Sequence, residues 1–561
     1  SPQHDGGDEV PDLATGCLAP YAPPYRHHSM HVLVLALALA CSAPVALAQD
    51  VGRFDVTFDA ALFPDGFTGD LFIAFSERGE PRQAMHGWLG APPVMRFHVD
   101  GAASGATLEL SHDTSVAHAP RDWSAFDWDG TEAKPINAAE KKPKTWRVQA
   151  IARLSRTGRE AGLDVDDVHS AIGEITYAPS GEGVVELRLD TRIEDEPFRE
   201  TERVKLFEFT SPSLSEFHGF DYTLKAGVLL PIGWKEGETY PVVYSVTGFG
   251  GTANSIHSFA PGRRERAPTV LDRCIVVVPD ASNRWGHSVF CDSRSIGPWG
   301  QALVHELIPA LEARFGGAGA EHRYVTGVSS GGWSCLWLQV AYPSEFAGCF
   351  SHVPDPIDFH DFQRIDLYTP LAGGAPRNMY VDESGAPRPL MRRGEQVLLT
   401  YEDFVRREHV LNPGGQIRSF EATFSALAGD GTPRRVFDVE TGAIDHDAAR
   451  DWRRYDISHT LLTEWSTLKG QLAGKLHIFA GAVDTFYLEG AVVRFRRLAE
   501  EAGILGDMTI EIVPGMAHQQ HGPGHETMLA TIERRWNAEH PPAEAPATDA
   551  GGASAPPKNG G

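Results

Sequence analysis

The chain has 561 residues, of which 42% are hydrophobic and 22% charged, with 57 glycines and 39 prolines. Such a composition excludes a fibrous or wholly disordered chain, and the length calls for two or three domains. A formal net charge of −25 argues against nucleic acid or an anionic membrane as the main partner, because phosphate groups need Lys and Arg to neutralise them.

Residues 1–29 are rich in Pro, Gly, Asp and His without periodicity and read as an unstructured leader. Met30 then opens MHVLVLALALACSAPVALAQD. Its apolar run is too short to span a bilayer, Arg26 precedes it, and Ala46-Leu47-Ala48 is a small-x-small cleavage site. Residues 30–48 are therefore expected to be a signal peptide, which would make the mature chain secreted or periplasmic. Pro44 argues against the alternative, a buried N-terminal helix. Cys17 and Cys41 fall in this leader. Cys274, Cys291, Cys335 and Cys349 remain, an even set that allows up to two disulfides or none.

From residue 49 to about 210 the pattern has period two. Phe54, Val56 and Phe58 alternate with Asp55, Thr57 and Asp59, and Val185, Leu187 and Leu189 with Glu186, Arg188 and Asp190. Short alternating runs between Gly, Pro and Asp turns predict an all-β domain of the antiparallel β-sandwich type. The loop carrying Trp123, Phe126 and Trp128 offers either a sugar-binding platform or packing onto the sandwich, and packing is the preferred reading.

Past residue 211 the grammar changes. YPVVYSVTG and CIVVVPD read as strands buried on both faces, RYVTG as another, and LHIFAG and MTIEIVPG as later ones. Between them, residues 300–315 and 331–342 have helical spacing. Strands alternating with helices predict a parallel α/β sheet over residues 211–536. Residues 355–468 break the alternation and read as a cap inserted over the site. The Pro- and Ala-rich end, residues 537–561, reads as a disordered tail.

Gly327-Val328-Ser329-Ser330-Gly331 fits G-x-S-x-G, with a buried strand before it and a helix directly after. A serine on such a strained turn is exposed for attack, and the helix N-terminus aims free N–H groups at a developing oxyanion. Ser329 is the predicted nucleophile. Ser330 N–H is one predicted oxyanion donor, and Phe249 or Gly250, in the loop Thr247-Gly248-Phe249-Gly250-Gly251, supplies the other. That loop resembles an HGGG-type loop with Thr in place of His. The acid and the base should follow in that order. Asp484, just past LHIFAG, is the predicted acid, with Glu489 as runner-up. His518, just past the last strand, is the predicted base, and His521 and His525 are its rivals. Neither the His-rich HQQHGPGH nor DPIDFHD has a zinc spacing, so metal is the lesser reading, and Asp355 and Asp358 are expected to line the pocket or tie down the insertion.

With YPVVYSVTGFGG, IVVVPDASNRWGHSVFCDS, GVSSGGWSCLWLQVAYPSEFAG, GAVDTFYLEG and IVPGMAH in this order, residues from about 217 to 536 resemble the putative esterase family of α/β-hydrolases. That family includes esterase D, enterochelin esterases, feruloyl esterase modules and mycolyltransferase relatives. The resemblance implies an α/β-hydrolase fold, a triad of Ser329, Asp484 and His518, and no cofactor. The β-sandwich and the insertion lie outside what it covers and leave the substrate open.

The expectation is an exported serine ester hydrolase acting through an acyl-enzyme on a small-molecule or polymer ester, with aromatic (feruloyl-like), carbohydrate-linked or polyester substrates as the candidates. Trp285, Trp299, Trp333, Phe486 and Tyr487 are candidates for an aromatic pocket that would suit hydroxycinnamoyl (feruloyl-like) esters or aromatic polyesters. The alternatives are a serine peptidase of the same fold and a non-catalytic carbohydrate-binding protein.

Overall fold

The computed structural model describes residues 50–128, 144–260 and 269–541. The segments read as leader and signal peptide lie outside the described residues, as does the tail beyond residue 541.

Among the described residues, nine strands between Val51 and Arg192 form one sheet. Its neighbours are antiparallel except for Val51–Phe58 against Gly183–Arg192, which run parallel. The expected pair of stacked sheets is a single hydrogen-bonded sheet that bends over its own core. Phe54 and Phe75 lie on strands separated by three others, yet their rings meet edge-on at 5.9 Å. The alternating residues Phe54, Val56, Phe58, Leu187 and Leu189 all point into this core. Trp123 and Trp128 close it from their loop. Trp128 Nε1 donates to the Trp123 carbonyl at 2.8 Å, and Trp123 Nε1 to the Tyr177 hydroxyl at 3.0 Å, so these rings pack inward and offer no sugar platform.

Strand Phe67–Ser76 is buried on both faces. Leu71, Ile73 and Phe75 face the core of the sheet, while Phe72 and Ala74 meet Val410 of the inserted helix Tyr401–Leu411. This explains the unbroken apolar run LFIAF in an otherwise alternating region. It also ties the N-terminal sheet to the insertion.

The second sheet has eight strands. In spatial order they are Val204–Thr210, Thr223–Leu229, Ile275–Pro279, Val242–Val246, Arg323–Val328, Gly348–His352, Leu476–Gly481 and Thr509–Val513. The first two pairings are antiparallel and the remainder parallel. Val204–Thr210, grouped by its alternation with the N-terminal strands, is thus the edge strand of this second sheet. The register sets Val246 beside Gly327 and Val328 beside His352. The loops following these strands therefore open at one edge, the carboxyl end, where open α/β sheets place their ligands.

The helical stretch from Trp299 to Phe315 contains a π-helical segment, Ala302–Leu307, just before Pro309. Proline lacks the N–H of the regular ladder and crowds the carbonyl four residues back, so the wider turn absorbs the misfit. In the insertion, the hairpin Pro389–Arg393 and Gln396–Thr400 is followed by helices Tyr401–Leu411, Gln416–Phe424 and His446–Asp451. Helix Ile457–Leu472, the last part of the stretch read as cap, packs instead on the core helix Ser330–Ala341. A C-terminal helix, Gly522–Glu539, runs three residues into the segment read as tail. All four cysteines of the described residues are free and buried, with Cys335 Sγ 3.5 Å from Cys349 Sγ.

Candidate active site

Ser329 sits between strand Arg323–Val328 and helix Ser330–Ala341 with φ 61° and ψ −126°, a region that L-residues rarely occupy and that costs roughly 1–3 kcal/mol. Its surroundings hold the strain. Ser329 N–H donates to the His352 carbonyl at 3.1 Å, and its carbonyl accepts from Trp333 N–H at 3.0 Å. Both glycines of the motif are steric requirements. A Cβ on Gly331 would lie 2.0 Å from the Val246 carbonyl oxygen, and one on Gly327 2.2 Å from that of Gly331.

The structure brings Asp484 and His518 together. Asp484 is fully buried; its Oδ2 accepts from His518 Nδ1 at 2.8 Å and its Oδ1 from Phe486 N–H at 2.8 Å. With its proton on Nδ1, His518 keeps the Nε2 lone pair for a proton acceptor's work. The insertion grips this loop. Arg392 Nε donates to the Asp484 carbonyl at 2.8 Å, Nη2 to Glu489 at 2.6 Å, and the guanidinium lies 4.2 Å from the Tyr487 ring centre. Glu489, the alternative acid, is thereby engaged with Arg392. The rival histidines are placed elsewhere. His521 N–H donates to His352 Nδ1, with its Nε2 3.5 Å from Glu511, and His525 Nδ1 contacts Gln520.

Ser330 is the first residue of its helix, so its N–H has no acceptor one turn back. Facing it, the loop after Val242–Val246 presses on Ser329. A Cβ on Gly248 would stand 3.3 Å from Ser329 Cβ. Gly251 N–H turns back to the Gly248 carbonyl at 3.1 Å, and Gly250 takes φ 94°, which favours glycine. Phe249 and Gly250 N–H donate to no protein carbonyl among the described residues.

Two residues that hold this loop were missed in the sequence. His287 Nε2 donates to the Thr247 carbonyl at 3.1 Å while its Nδ1 accepts from Val289 N–H at 3.0 Å, and burial pushes its pKa down to about 3. The ring is therefore a neutral, fixed donor. Arg159, from the N-terminal sheet region, donates through Nη2 to the Gly250 carbonyl at 2.6 Å and through Nη1 to Ser282 Oγ at 3.1 Å. No local motif marks Arg159, and His287, although it stands within IVVVPDASNRWGHSVFCDS, carries no spacing that singles it out.

Behind Ser329, Ser330 Oγ donates to Asp355 Oδ2 at 2.6 Å, and Gln416 Nε2 of the insertion reaches both at 3.1 and 3.3 Å. Burial pushes Asp355 up to about 6, against the pull of the Ser330 bond and the nearby His518. Asp358 instead accepts from Ser458 Oγ and faces Arg494, fastening the insertion. Among the described residues, no three His, Cys, Asp or Glu side chains are arranged to hold a metal ion.

An aromatic wall stands beside His518. Phe486 meets its ring edge-on at 4.9 Å, and Trp88 lies 5.8 Å from Phe486, 4.7 Å from Phe404 and 6.4 Å from Phe249. Of the aromatic candidates from the sequence, Phe486 belongs to this wall. Trp299 and Trp333 are core, Trp285 faces Arg418, and Tyr487 lies against Arg364 and Arg392. Trp88, Phe249 and Phe404 went unread as wall residues because three separate regions of the chain contribute them.

The mixed sheet with a strained serine at its carboxyl edge fits the α/β-hydrolases. Residues 218–390 match the family described as Putative esterase; that segment is an esterase-family domain, and the chain is a carboxylic ester hydrolase. Searching curated proteins gives no significant match. Among solved structures, the chain is similar to a ferulic acid esterase (14% identity, 59% of this chain and 99% of that one, TM-score 0.34). It is also similar to an S-formylglutathione hydrolase from Agrobacterium tumefaciens (16%, 60% and 94%, TM-score 0.32). A third likeness is to a putative dipeptidyl aminopeptidase IV from Bacteroides ovatus (14%, 86% and 58%, TM-score 0.36).

Proposed function

We propose that the chain is an exported serine esterase in which Ser329, His518 and Asp484 form the catalytic triad. The observation that carries this reading is the strained Ser329 elbow at the same sheet edge as the buried Asp484–His518 pair. Ser329 Oγ attacks the ester carbonyl as His518 Nε2 takes its proton. Asp484 holds the Nδ1–H and stabilises the imidazolium. The oxyanion of the tetrahedral intermediate accepts from Ser330 N–H and from Phe249 or Gly250 N–H. His518 then returns the proton to the leaving alkoxide, and water releases the acyl group by the same steps.

The wall of Trp88, Phe249, Phe404 and Phe486 supports an aromatic or bulky apolar arm on the substrate. In this reading the N-terminal sheet and the insertion shape the pocket. A panel of nitrophenyl esters of graded acyl size, run with Ser329→Ala, tests the proposal. Turnover that vanishes in Ser329→Ala and favours aryl acyl groups supports it; turnover that persists in the variant would overturn the assignment.

A further inference from the structure

Arg407, on the inserted helix Tyr401–Leu411, lines a cavity shared with Trp88, Phe249 and Phe404. Its Nη2 donates to the Met85 carbonyl at 2.6 Å, while its Nε is shielded and has no hydrogen-bond partner among the described residues. Among the described residues no neighbouring charge compensates the guanidinium, and burial pushes its pKa down to about 10, which leaves it a cation.

The other charges on the cavity wall are engaged. Arg159 bonds to Gly250 and Ser282, and Glu160 lies 3.7 Å from Arg159 Nε. Asp403 accepts from the Thr400 hydroxyl at 2.7 Å. Glu408 accepts from the N–H groups of Gln416, Ile417 and Arg418 at the start of the next helix, and burial pushes its pKa up. Among the described residues of this wall, Arg407 is left without a compensating charge. Keeping a cation among aromatic rings without a counter-ion is costly, and the same low-dielectric surroundings strengthen its attraction for an anion.

The cavity is a near neighbour of the nucleophile. Phe249 separates it from Gly248, whose backbone packs on Ser329, and Trp88 links it through Phe486 to His518. Ser329 itself is not on its wall. We propose that this cavity is a subsite for an ester arm ending in a carboxylate, with Arg407 as its counter-ion and Trp88 and Phe404 flanking the arm's apolar body. The inference rests on the esterase reading above and deepens it.

Two pairs of esters, each differing by methylation of one carboxylate, test it. Mono-4-nitrophenyl terephthalate against its methyl ester probes the acyl arm; 4-acetoxybenzoate against methyl 4-acetoxybenzoate probes the alcohol arm. A charge-assisted bidentate contact predicts that kcat/KM favours the charged member of one pair by about tenfold or more. The ratio should fall to near one in Arg407→Gln. In Arg407→Lys, which keeps the charge but loses the planar fork, it should shrink yet persist. Absence of a preference in both pairs of the unaltered protein, or a preference that survives Arg407→Gln, would overturn the inference while leaving the esterase reading intact. No turnover of any ester, with no covalent labelling of Ser329, would overturn both.

Discussion

Arg159 Nη2 donates to the Gly250 carbonyl at 2.6 Å, although 91 positions separate the two residues in the chain. The N-terminal sheet region therefore fixes a backbone turn that presses on Ser329. The Arg159 side chain is only 8% exposed, and its guanidinium also lies 5.6 Å from the Phe249 ring centre. In the proposed mechanism it acts through the loop, as a positioning residue.

Arg159→Ala should consequently lower kcat more than it raises KM, because the oxyanion is bound more tightly in the transition state than in the ground state. A loss of about tenfold is expected, below the ~100-fold typical of deleting an oxyanion donor outright. Steady-state kinetics well below the unfolding temperature check it. A rise in KM with kcat unchanged would place Arg159 in ground-state binding instead.

Trp88→Ala removes the ring that joins Phe404 and Phe486. Loss of that apolar contact should cost aryl esters roughly 1–3 kcal/mol in kcat/KM and acetyl esters far less. Parallel assays of nitrophenyl acetate and nitrophenyl benzoate give the comparison, and equal losses for both would contradict it.

Gly331→Ala puts a methyl group 2.0 Å from a backbone oxygen, where no side-chain rotation relieves the clash. The expected loss of stability is about 3 kcal/mol or more, with activity lost as the elbow shifts. Chemical denaturation measures it; a variant as stable and active as the parent would contradict the packing described.

Asp355 gives a pH signature. Its ordinary value is 3.8, and burial raises it to about 6 in the folded chain. Between those values the folded state keeps a proton that the unfolded state has released. Its contribution thus favours folding below the window and is lost as pH rises through about 6. Asp355→Asn should remove this dependence and gain stability on the parent between pH 4 and 7, by at most about 3 kcal/mol. Denaturation curves at both pH values test the sign.

The sequence makes the chemistry legible where local pattern and strand context coincide. Ser329 is marked by its flanking glycines, and Asp484 and His518 by their places just past buried strands. Helix 300–315 shows its apolar stripe, but Pro309 turns part of it into a π segment that spacing alone does not reveal. The supports are hidden because their partners are distant. Trp88 sits in a Gly- and Pro-rich loop with no period around it, and Arg159 looks like any surface arginine until the fold brings it to Gly250. Alternation likewise reports which residues face a core. It does not say whether the strands belong to two sheets or to one that bends, nor that Val204–Thr210 pairs with the second sheet.

The central claim, that Ser329 is an activated nucleophile, is tested most directly by mass spectrometry after reaction with a fluorophosphonate. The account predicts one covalent adduct on the peptide carrying Ser329 and no adduct in Ser329→Ala. An unmodified Ser329, or an adduct that persists in the variant, would contradict it.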